Sequence, residues 1–100
     1  MMRLNEYRDE LHKLAKEKGF WDEERNDGEC IALMHSELSE ALEAMRLGRW
    51  EGKDSVGEEL GDCMIRIFDY CGGRNIDIEK IINDKHQYNK TRKYKHGKKF

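Results

Sequence analysis

Glu37 and Glu40 stand three residues apart, and Glu59 with Asp62 repeats that spacing further along the chain. Residues three apart on a helix are surface neighbours, so each pair presents two carboxylates side by side. Carboxylates are hard oxygen ligands that suit Mg²⁺, with Mn²⁺ as a substitute. Zn²⁺ is a poor fit, because Cys30, Cys63 and Cys71 show no metal-ligand spacing and His35 and His86 stand alone. The three cysteines are expected to be small buried thiols.

The first carboxylate pair is marked by its surroundings. With Met34 at 0° and about 100° per residue, Ile31, Leu38, Ala41, Leu42 and Met45 form an apolar stripe, expected to face the core. Glu37 and Glu40 fall at about −60° and −120° on the same wheel, among Cys30, Leu33 and Ala44. Two like charges on an apolar side are costly unless a cation joins them. The second pair lies beside the stripe Val56, Leu60, Cys63, Met64, Ile67, Phe68 and Cys71. Glu59 flanks that stripe. Asp62 lies further round, where an ion pair with Arg66 is an equally good account of it. Glu58 and Asp69 fall opposite the stripe and are expected to face water.

Four helices are needed to place these groups. They are read at about residues 2–18, 29–47, from 54 or 55 to 72–73, and from just after Asn75 to about 90. Gly19 and Gly48 supply stops; Asp54 or Ser55, and later Asp77, supply caps. The connection GRWEGK between the second and third helices is short enough for antiparallel packing, which would bring the two carboxylate pairs together. A chain of 100 residues with 37% hydrophobic and 40% charged residues and no proline reads as one all-α domain, residues 1–100. So short a chain buries a thin core, and oligomerisation is a natural remedy. No stretch has the length of a membrane span or the apolar character of a signal peptide, so a soluble, cytoplasmic protein is expected.

Charge is divided along the chain. Residues 1–84 carry 12 Lys/Arg against 21 Asp/Glu, a net of −9, while residues 85–100 carry 7 Lys/Arg and no acid. An acidic body therefore ends in a basic tail, at about 91–100, expected to be irregular.

The segments IALMHSELSEALEAMRLG, GEELGDCMIRIFDYC and DKHQYNKTRKYKHGKKF, taken in that order, resemble the MazG-like branch of the all-α NTP pyrophosphatases, over about residues 20–100. The resemblance implies a four-to-five-helix bundle, a homo-oligomer (dimer or tetramer) with active sites near subunit contacts, and Mg²⁺ held by Glu37, Glu40, Glu59 and Asp62. It implies hydrolysis of a nucleoside triphosphate, with a dNTP favoured, to the monophosphate and pyrophosphate. Glu37 or Glu40 would orient the attacking water. In that setting Lys85, Asn89, Lys90, Arg92, Tyr94 and Lys98 supply donors for phosphate oxygens. Phe20 and Trp21 offer rings for a base to stack on, or else cover the end of the core. The competing expectation is a non-enzymatic helical module whose basic tail, with Tyr88 and Tyr94 among its lysines, contacts nucleic acid. The acidic body argues against that.

Overall fold

The structure is a computed structural model that describes residues 2–100. It is all-helical: α1 (Leu4–Glu17), α2 (Asp27–Arg46), α3 (Val56–Gly73), α4 (Ile78–Lys90) and a short 3₁₀ turn, Tyr94–Gly97. The basic tail is thus not wholly irregular. Among the described residues no helix is long and apolar enough to cross a membrane.

The helix ends follow local chemistry. Ser55 caps α3 through Glu58 N, and Asp77 caps α4 through Lys80 N. The second helix starts earlier than the apolar spacing suggests, because the Asn26 side chain accepts from Glu29 N and draws Asp27 and Gly28 into the first turn. Gly48, at φ 71°, turns the chain out of α2 in a left-handed conformation that costs glycine nothing.

Helix α3 lies between the other two long helices. It runs antiparallel to α2: Tyr70 and Arg74 reach Asp27 at one end, and Cys63 donates to Met34 O midway. It runs antiparallel to α1 as well, with His12 against Asp69 and Arg8 donating to Ile76 O. Helix α4 is joined to α1 near its start, where Asn5 donates to Asp77 Oδ1 and accepts from Glu79 N.

Packing on two sides overturns part of the stripe assignment. The buried face of α2 is Cys30, Met34, Glu37, Ala41 and Ala44. Ile31, Leu38, Leu42 and Met45, expected in the core, are 43–60% exposed, and on α3 Leu60 and Met64 are exposed too. The reason is geometric. The α2 contact is centred on the Glu37 side of the stripe, and α3 turns one flank to α2 and the other to α1, leaving the middle of each apolar sector open. Asp69 is the reverse case. Expected in water, it is 7% exposed, because α1 and the loop after it cover that side of α3.

Candidate metal centre

Antiparallel packing of α2 on α3 brings Glu37, Glu40 and Glu59 together, with one carboxylate oxygen from each within 4.8 Å of the others. Glu37 and Glu59 are 7% and 5% exposed, whereas Glu40 is open to solvent. Glu37 and Glu59 each leave Oε2 buried with no hydrogen-bond partner. Buried oxygens without partners are expensive, since the water they gave up is not replaced. The Glu59 carboxyl is accordingly pushed up to about 7: a proton-sharing contact with Glu40 is the largest cause, then loss of water, then Glu37. A bound cation would relieve these costs together, so the donor set fits a hard divalent metal.

Asp62 is half-buried next to this group and is not one of the three converging residues. Its acid is raised by loss of water first and by the Glu37 charge second. Arg66 does not pair with Asp62. Its Nε donates instead to Glu37 Oε1 at 3.0 Å.

A cavity of about 410 Å³ adjoins the carboxylates. Glu37, Asp62, Arg66, Arg25, Asp69 and Phe20 are among the residues that line it. Phe20 is 62% exposed and free to meet a ligand. Trp21 is turned inward. Its Nε1 donates to Asp69 Oδ1 at 2.9 Å, its ring lies close over Gly73, and Arg25 and Arg74 stand over the ring at 5.1 and 5.7 Å. His12 Nδ1 is 2.9 Å from the same Asp69 oxygen, and Arg25 is 3.6 Å from Oδ2.

His12 and Arg25 were not singled out in the sequence, and Asp69 was expected to face water. A usable signal was present: Ile65, Phe68 and Gly72 extend the small-and-apolar positions of α3 beyond one stripe, the mark of a second packed face.

The basic residues are elsewhere. Lys85 and Arg92 lie over the Tyr88 ring, at 4.9 and 5.5 Å, and Lys95 over Tyr94. Asn89 is half-buried, with Oδ1 lacking a partner; Lys90, Tyr94 and Lys98 are exposed. Among the described residues no hydrogen bond or ion pair joins residues 85–100 to the four carboxylates.

No protein-family model matches the chain, no curated protein matches it, and no solved structure matches it.

Proposed function

We propose that this chain is a Mg²⁺-dependent nucleoside triphosphate pyrophosphohydrolase of the MazG-like type. The observation that supports the reading best is the meeting of Glu37, Glu40 and Glu59 across α2 and α3, with two buried oxygens left unpartnered. Glu37, Glu40 and Glu59 would hold the metal, and Asp62, which lines the adjoining cavity, would complete the set. Mg²⁺ bound there supplies charge neutralisation on phosphate oxygens and lowers the cost of deprotonating water.

The chain's own groups divide the remaining work. Glu37 is tied to Arg66, so the exposed Glu40 is the better placed to orient a water for in-line attack on the α-phosphorus. Water adds to that phosphorus as the bond to the bridging oxygen breaks, giving the monophosphate and pyrophosphate. Lys85, Asn89, Lys90, Arg92, Tyr94 and Lys98 serve substrate phosphates when the tail moves onto the site, and Phe20 stacks on the base. A second copy of the chain covers Ile31, Leu38, Leu42 and Met45, in a dimer or tetramer.

A panel of NTPs and dNTPs with Mg²⁺, scored for pyrophosphate against orthophosphate, tests the reading. Pyrophosphate release supports it; orthophosphate alone, or no turnover, counts against it. A second reading, nucleic-acid binding through the tail, is favoured by one observation: most of the tail is exposed, with Tyr94 89% exposed. Salt-sensitive retention of oligonucleotides without pyrophosphate release would decide for it.

A further inference from the structure

The ion pair between Arg66 and Glu37 carries an inference about how the carboxylate centre is organised. Glu37 is held from one side only. Arg66 Nε takes Oε1 at 3.0 Å, Oε2 is buried and unpartnered, and one oxygen of this carboxylate converges with one each from Glu40 and Glu59. A carboxylate gripped by one oxygen presents the other in a fixed direction. Arg66 sits on α3 and Glu37 on α2, so the grip also fixes the two helices that bring the ligands together. The Arg66 side chain is 37% exposed, and with Glu37 it lines the cavity beside the centre.

We infer that Arg66 is a positioning residue for the metal centre: it fixes Glu37 so that Oε2 faces the site, and it strengthens metal binding despite its own positive charge. The inference rests on the metal-dependent reading above. It makes a prediction opposite in sign to that of simple electrostatics. A cation beside a metal site repels the metal, so charge alone says that removing Arg66 tightens binding. Partners that orient metal ligands act the other way, and losing one weakens metal affinity by about 10- to 100-fold.

The test is Mn²⁺ binding to the full chain, followed by electron paramagnetic resonance, for the unaltered protein, Arg66→Ala and Arg66→Lys, with helicity checked by circular dichroism. Lys80→Ala, which breaks an exposed pair with Asp84 on α4, outside the two helices that carry the centre, serves as the control and should leave affinity unchanged. Arg66→Ala is expected to raise the Mn²⁺ dissociation constant about 10-fold or more. Arg66→Lys keeps the charge but loses the planar Nε donor, so its affinity should also fall. Unchanged or tighter binding by folded Arg66→Ala overturns the inference while leaving the metal site standing. If Arg66→Ala does not fold, Arg66→Lys decides, and an affinity within about twofold of the unaltered chain overturns the inference. Absence of Mn²⁺ binding by the unaltered chain overturns both the inference and the reading it rests on.

Discussion

The indole N–H of Trp21 donates to Asp69 Oδ1 at 2.9 Å, joining the loop after α1 to the C-terminal part of α3. His12 meets the same oxygen, so one carboxylate ties α1, the loop and α3 together. Asp69→Ala would leave the indole N–H without its partner and Arg25 without its anion. The expected cost is about 2 kcal/mol of unfolding free energy, by the usual penalty for orphaned buried polar groups. Urea denaturation followed by circular dichroism measures it, and a loss under about 0.5 kcal/mol would mean water satisfies these groups as well.

Two glycines of α3 should respond in opposite directions. At Gly73 an added Cβ would fall on the Trp21 ring, so Gly73→Ala should destabilise by about 1–3 kcal/mol through overpacking. At Gly61 nothing lies within 4 Å of the Cβ position. Gly61→Ala should therefore stabilise by about 0.5–1 kcal/mol, the helix-propensity gain. Thermal melts of both variants check the pair, and equal shifts would contradict it.

This contrast shows what the sequence could and could not disclose. Helix ends were readable where a single side chain sets them, as Ser55 and Asp77 do. The convergence of Glu37, Glu40 and Glu59 was readable because periodicity puts each glutamate on a known side and a short connection lets α2 and α3 pack antiparallel. The flanks of α3 were not, because a hydrophobic stripe gives the direction of burial without saying how many neighbours share it. Asp69 therefore looked solvated until α1 and Trp21 were placed over it. The Arg66 partner was misjudged for a related reason: a spacing of four along one helix is visible in sequence, and a closer carboxylate on another helix is not.

Stability without metal should depend on pH with an uncommon sign. Glu59 titrates at about 7 in the folded chain against an ordinary 4.5, so the folded state binds the extra proton between those values. The stabilisation is full below the ordinary value and is lost as pH rises through about 7. Asp62, also raised, acts in the same direction. The melting temperature in a chelator should thus fall between pH 5.5 and 8, and Glu59→Gln should flatten that fall. A melting temperature that climbs with pH in both proteins would contradict the crowding of these carboxylates.

Metal should reverse that loss. Ligating carboxylates must give up their protons, so Mg²⁺ or Mn²⁺ competes with the Glu59 proton and binds better as pH rises. At about 100 times its dissociation constant a bound ion adds about 2.7 kcal/mol to the folded state. Glu37→Gln keeps the size of the side chain and its place on α2 but removes a ligand charge. It should abolish the metal-induced rise in melting temperature and most pyrophosphate release. Full turnover by folded Glu37→Gln would sink the assignment of this residue.

The exposed α2 face gives the last prediction. Leu38 and Leu42 are 49% and 60% exposed, and among the described residues no large side chain is fully buried. An apolar face of that kind on so small a domain is costly in water, and a second copy is the partner always present at equal concentration. The charges at the two ends of α2 favour antiparallel pairing about a twofold axis, since the first turn carries Asp27 and Glu29 and the last carries Arg46. Leu38→Glu with Leu42→Glu would place four carboxylates in such an interface and should convert a sedimenting dimer or tetramer to a monomer. Helicity should survive, because neither residue is buried within one chain. A monomeric unaltered chain at tens of micromolar would instead mean that this face stays wet, and that the thin core of α1, α2 and α3 holds the fold by itself.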